Sequence, residues 1–248
     1  MPGCNGKEKE GTLANDPKVS YNGILNAGPV PKENLMTIDT FSSQDYRARL
    51  DELAHGHAGI RRILDETGYP PFWERPAGFE GLVRIILEQQ VSLSSAFSVY
   101  RKLKTALPEL SPGAVGKLTD EGLRSFGITR QKARYIRILS EEIREGRLDL
   151  NALEALPDPE VKKQLTAITG IGPWTADIYL LMGLHRADIF PVGDLALRNA
   201  MKGAGFARPD DDHPTLEKKA RVFSPHRSLF SFLLWHWYIR THNIKLPG

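Results

Sequence analysis

Two glycines one residue apart, with a proline directly after them, mark the most constrained point of this 248-residue chain. The string runs from Leu165 to Ala176 and reads LTAITGIGPWTA. Before it, Val161, Leu165 and Ile168 share one face of a helix predicted over Asp158 to Ile168. After it, Pro173 fits a first helical position, where a missing N–H costs nothing, and a second helix is predicted to Leu184. Gly170 and Gly172 supply the backbone angles of a tight turn and let a ligand approach the main chain. Ile171, between them, is placed to tuck inward and anchor the turn. The amides at the start of the second helix then face outward beside a positive dipole end, where an anion is favoured.

The rest of the chain agrees with a helical fold. Phe79 to Leu103 carries Leu82, Ile85, Ile86 and Val91 at helix-like spacing. Ser111-Pro112 and Asp158-Pro159 each pair a capping residue with proline, and Thr129 fits the cap of a helix through Tyr135 and Ile136. Gly146, Gly170 and Gly203 fall where helices should stop. Alternating strand patterns with hairpin turns are missing, as is a glycine-rich nucleotide loop after a strand. The fold class expected is all-α, about ten helices in two lobes with a cleft between them. Residues 1–40 lack a sustained apolar period and read as an N-terminal tail, or a docked arm, ahead of a helical domain over 41–248.

Composition narrows the chemistry. One cysteine, Cys4, excludes an internal disulfide framework and a cysteine-held zinc or iron–sulfur site within one chain, and makes an intracellular location the default. The longest apolar stretch, Leu229 to Ile239, is about half of the roughly 20 residues a membrane span needs, so it reads as a core helix. The first residues lack the order of a signal peptide. A net charge of +3 permits a nucleic-acid partner without singling one out.

Asp194, in Phe190-Pro191-Val192-Gly193-Asp194, lies two dozen residues beyond the hairpin. As an aspartate ahead of Leu195 it fits a plain N-cap. It also fits a carboxylate that does chemistry beside a phosphate held at the hairpin, and the two roles are compatible.

The hairpin string with Asp194 resembles the helix–hairpin–helix (HhH-GPD) superfamily of DNA glycosylases. The resemblance covers about residues 70–240, through motifs in the expected order. Leu82 to Ser92 resembles the family's glutamine-pair segment, Phe126 to Tyr135 a second segment, and Ser224 to Ser228 with Trp235 a third, although Ser224 stands where arginine is common. The resemblance implies an all-α version of the fold without an N-terminal β domain. It implies a DNA grip through Gly170, Ile171, Gly172 and Thr175, with Arg130 and Lys132 as further phosphate contacts. It places Gln90 in the gap left by an extruded nucleotide, supported by Gln89. It makes Asp194 the catalytic carboxylate and Asp188 a support of local structure. Trp174 and Trp235 would line the base pocket, with Phe72 as a further wall and Ile178 where the bacterial type enzyme has tyrosine. Trp73 and Trp237 read as core aromatics. The carbonyls of Thr166, Ile168 and Ile171 would hold a monovalent cation, Na⁺ or K⁺; no other cofactor is required and no iron–sulfur cluster is expected.

Bifunctional relatives carry a nucleophilic lysine two residues after the second hairpin glycine, and here that position is Trp174. The implied activity is therefore monofunctional: hydrolytic excision of alkylated purines, 3-methyladenine first and 7-methylguanine second, as in the 3-methyladenine DNA glycosylase II (AlkA/MAG-like) branch. The implied partner is double-stranded DNA containing alkylated bases, met by a monomer without a membrane role. The location expected is the cytoplasm (nucleoid) of a bacterium or the nucleus of a eukaryote. The alternatives are a glycosylase for hypoxanthine, uracil or 1-methyladenine, and a noncatalytic DNA-binding module, which would need neither Asp194 nor the pocket tryptophans.

Overall fold

The computed structural model describes residues 38–246, and their backbone is helical. In chain order the helices are α1 (Tyr46–Gly56), α2 (Ala58–Thr67), α3 (Phe79–Glu88), α4 (Leu93–Ala106), α5 (Pro112–Gly116) and α6 (Asp120–Ser125). They continue with α7 (Arg130–Arg144), α8 (Asp158–Thr166), α9 (Pro173–Ile178), α10 (Leu195–Gly203), α11 (His213–Ala220) and α12 (Arg227–Thr241). Short 3₁₀ turns cover Ala152–Ala155 and Arg221–Phe223. Among the described residues no strand forms, and the one pairing of extended backbone is an isolated bridge between Thr40 and Arg186. No described helix is long and apolar enough to cross a membrane.

Two packing groups follow from where the apolar faces lie. Helix α12 buries every residue from Ser228 to Trp235 and packs on α1, α2 and α10. Leu229, Phe230, Phe232, Leu233 and Leu234 are fully buried, each worth about 1.5–3 kcal/mol of removal from water. In the second group α7 packs on α3, α5 and α6 through Ala133, Ile136 and Leu139. Helices α3 and α9 meet between the groups, and α8 packs on α9.

Several local expectations hold. Ser111 and Thr129 cap their helices, accepting from the amides of Ala114 and Lys132. Others change. The period over Phe79 to Leu103 is split, because the chain leaves α3 at Gln89 and re-enters a helix at Leu93, with Ser92 as cap. Asp158 does not cap α8: it is the first helical residue, behind Pro157, and stands 3.5 Å from Nε of the buried Arg186. Arg186 in turn donates from Nη2 to the carbonyls of Leu153, Glu154 and Leu156, tying the 3₁₀ turn to the segment before the site. The helix expected from Pro173 to Leu184 widens into a π turn over Tyr179–Gly183. Gly203 is the last residue of α10, as expected, and a side chain there would meet the Trp237 ring; the left-handed residue that follows the helix is Gly205.

Of the tail expected over 1–40, residues 1–37 lie outside the described residues. Asp39 accepts from the Ala187 amide at 3.0 Å, and the Phe41 amide donates to His185 at 2.9 Å, so the chain is already tied down there.

Candidate active site

The hairpin is held from inside and open on its outer side. Leu165, Ile168 and Ile171 are buried, and the Ile171 amide closes the turn on the Ile168 carbonyl at 3.0 Å. Gly170 takes a positive φ of 97°, and a side chain there would collide with Tyr135 on α7. Gly172 differs from expectation, having ordinary extended angles (φ −91°, ψ 177°). Nothing lies within 4 Å of where its side chain would point. Its lack of a Cβ therefore keeps space open rather than permitting a turn. Pro173 begins α9 as expected.

A loop from the other packing group is clipped to this hairpin. The Gln89 side chain donates from Nε2 to the Gly170 carbonyl at 3.0 Å and to the Thr175 hydroxyl at 2.9 Å. Lys132 reaches across from α7 and donates to the carbonyls of Leu87 and Gln89 at 2.8 and 2.7 Å. Between these fixings Gln90 projects, exposed, with a positive φ of 54° that side-chain-bearing residues rarely adopt.

Two DNA-contact expectations change as a result, while Gln89 takes the supporting place expected of it. Thr175 is buried and its hydroxyl is engaged by Gln89, so its side chain is a joint within the protein. Lys132 spends its ammonium on the end of α3, and burial lowers its pKa. Gln89 likewise works inward. Arg130 is exposed at the start of α7.

The carboxylate of Asp194 is fixed by N–H groups from three elements. Oδ1 accepts from the Leu197 amide at 2.8 Å, which makes Asp194 the N-cap of α10. The same oxygen accepts from the Trp235 indole on α12 at 3.1 Å, and Oδ2 accepts from the Trp174 indole on α9 at 3.0 Å. Asp194 is half-buried, with its side chain open to the groove. Composition gave no sign that both tryptophans would serve one carboxylate. Asp188 instead pairs with Arg227 at 2.8 Å and accepts from Ser224. Burial pushes its pKa up, but those bonds outweigh it and hold the carboxyl below the usual aspartate range.

Two concavities meet at Asp194. A groove of about 1120 Å³ runs past Gln90, Tyr135, Gly170, Gly172 and Leu195. Behind it lies a cavity of about 460 Å³ walled by Trp73, Trp174, Ile178, Met182, Trp235 and Tyr238. Trp174 and Asp194 line both. Phe72 is displaced from the expected wall: it stacks on His185 at 5.0 Å and packs against Phe41 and Phe232. Its neighbour Trp73, read as core, takes the wall position. Met182 and Tyr238 were missed, although each follows an assigned wall residue at same-face helical spacing, four after Ile178 and three after Trp235.

The carbonyls of Thr166, Ile168 and Ile171 belong to residues on the groove at the C-terminal end of α8 and its turn. Three neutral oxygens at a negative dipole end fit a hard monovalent cation better than a transition metal. The Ile168 oxygen already accepts the Ile171 amide but retains a second lone pair.

A sequence model of the HhH-GPD superfamily base excision DNA repair proteins matches residues 83–225, which hold the glutamine pair, the hairpin and Asp194. DNA-3-methyladenine glycosylase 1 of Schizosaccharomyces pombe is 24% identical over 211 residues, covering 81% of this chain and 92% of the relative. The crystal structure of a DNA-3-methyladenine glycosidase from Bacillus halodurans superposes with a TM-score of 0.68 at 27% identity, covering 79% of this chain and 91% of that one. The Schizosaccharomyces pombe 3-methyladenine DNA glycosylase in complex with abasic DNA shares the fold, with a TM-score of 0.70 at 22% identity over 76% of this chain and 95% of that one. With the matched region spanning more than half of its length, the chain belongs to the HhH-GPD superfamily of base excision DNA repair proteins.

Proposed function

We propose that this protein is a monofunctional DNA glycosylase that hydrolyses the N-glycosidic bond of alkylated purines, 3-methyladenine first and 7-methylguanine second. The product is a free base and an abasic site with an intact backbone. One observation carries the reading: the Asp194 carboxylate, gripped by two indole N–H groups, sits where an open groove meets an aromatic cavity.

The roles follow from the chemistry. Double-stranded DNA lies along the groove, with a phosphate on the free amides beside Gly170 and Gly172. A monovalent cation on the Thr166, Ile168 and Ile171 carbonyls would add positive charge beside that phosphate. Gln90 fills the gap left by the flipped nucleotide, offsetting part of the few kcal/mol that extrusion costs. Asp194 stabilises the sugar cation and orients the attacking water. The ring walls favour a cationic base by roughly 0.5–2 kcal/mol. Trp174 stands where a Schiff-base lysine would, so no side chain there can form a covalent sugar adduct.

The decisive assay is release of free base from methylated duplex DNA. Wild type should release 3-methyladenine, and Asp194→Asn should do so at least about 100-fold more slowly while still binding an abasic duplex. Equal release by both would sink the role of Asp194. Borohydride should trap no adduct; a trapped adduct would overturn the monofunctional reading.

A further inference from the structure

The cavity wall is not wholly apolar. Glu88, the last residue of α3, lines it together with Arg75. Both side chains are nearly buried, at 10% and 12% exposure. The bonding of this carboxylate is lopsided. Oε1 accepts from Arg75 Nε at 3.1 Å and Nη2 at 2.8 Å, with Arg84 Nε at 3.4 Å from the same oxygen. Among the described residues, no hydrogen bond reaches Oε2. Nor is Oε2 one of the buried side-chain atoms without a partner, so it keeps access to solvent on the surfaces Glu88 lines.

A bidentate ion pair normally uses both carboxylate oxygens. Here the arginines converge on one and so orient the other. A carboxylate oxygen can only accept, so its occupant must bring a donor. Arg75 is itself anchored: its amide donates to Met182 of the cavity wall at 2.9 Å, and Nη1 to its neighbour's carbonyl. The Glu88 carboxylate is therefore held in place where the groove and the cavity meet.

We propose that Glu88 is a specificity-determining residue of the base cavity, its free Oε2 accepting a hydrogen bond from the exocyclic 6-amine of a flipped alkyladenine. This rests on the alkylpurine reading above. A base with a carbonyl at that position, 7-methylguanine included, presents lone pairs to a carboxylate and is disfavoured, which ranks it behind 3-methyladenine. A purely structural Glu88, present only to neutralise Arg75, would leave the cavity indifferent to the 6-substituent.

The test uses free bases as competitors of 3-methyladenine release from methylated duplex. Free 3-methyladenine should inhibit wild type roughly tenfold or more better than 3-methylhypoxanthine, which carries oxygen at that position, as expected for a hydrogen bond to a charged group. In Glu88→Gln, whose amide can also turn a donor to the cavity, the preference should shrink to near parity. Equal inhibition of wild type by the two bases overturns the proposal even if the variant fails to fold. So does an unchanged preference in a folded Glu88→Gln. If wild type releases no alkylated purine at all, the activity reading falls first and takes this inference with it.

Discussion

At the scale of single residues, the two hairpin glycines look equivalent in sequence and are not. Gly170 holds a left-handed backbone against Tyr135, whereas Gly172 holds ordinary extended backbone beside open space. Gly170→Ala should therefore lower stability by about 2–3 kcal/mol, combining strain with a steric clash. Gly172→Ala should barely move the urea midpoint yet weaken binding to an abasic duplex, because its methyl group occupies the space left for the phosphate. Equal stability losses in the two variants would contradict this division. The pair also marks what was legible beforehand. The turn could be read because it is local chemistry in a short string. Which glycine serves the fold and which the ligand depended on Tyr135, 35 positions upstream. Phe72 and Trp73 failed for a similar reason. Adjacent residues of a non-helical segment face different ways, and nothing in their own composition tells which one meets the cavity.

At the scale of elements, the site is a joint between α3, the α8–α9 hairpin and α7. Gln89 and Lys132 are its fasteners; Gln89 was read as a support, whereas Lys132 was first read as a phosphate contact because a charged residue near a binding motif gives no hint of its direction. Lys132 shows this most clearly: it faces the end of α3, so its charge serves the carbonyls of Leu87 and Gln89. Lys132→Met should free the loop that carries Gln90. Single-turnover base release should fall about 10- to 100-fold, the scale of a small misplacement near the chemistry. The salt dependence of DNA binding should stay unchanged, because no phosphate contact is lost. A shallower salt slope in the variant would instead restore Lys132 as a phosphate ligand. The capped helix starts at Ser111 and Thr129, by contrast, were readable because a cap is satisfied within its own first turn.

At the scale of the whole molecule, the segment 186–190 connects the parts. It carries Arg186 toward the 3₁₀ turn, Asp188 toward the start of α12, and then leads to Asp194. The Asp188 pKa lies below the ordinary aspartate value of 3.8, so its pairing with Arg227 stabilises the fold above that value and is lost as pH falls through the folded-state pKa. Asp188→Asn should thus cost about 1–2 kcal/mol in urea unfolding at pH 7, and the difference should close as pH drops below about 4. A constant difference across that range would assign the effect to packing. None of this long-range wiring was visible in the sequence, since the partners are some 30 to 40 residues apart and each looks like an ordinary surface charge.

Three of the four tryptophans, Trp73, Trp174 and Trp235, wall the same cavity, and the fourth packs against Gly203. The molecule therefore carries a built-in optical reporter whose signal comes mainly from the place where a base would sit. Titration with free 3-methyladenine should quench the intrinsic emission, and Trp237→Phe should leave most of that quenching in place. Base entry and base release could then be timed by light from the unlabelled protein, separately from the chemistry at Asp194.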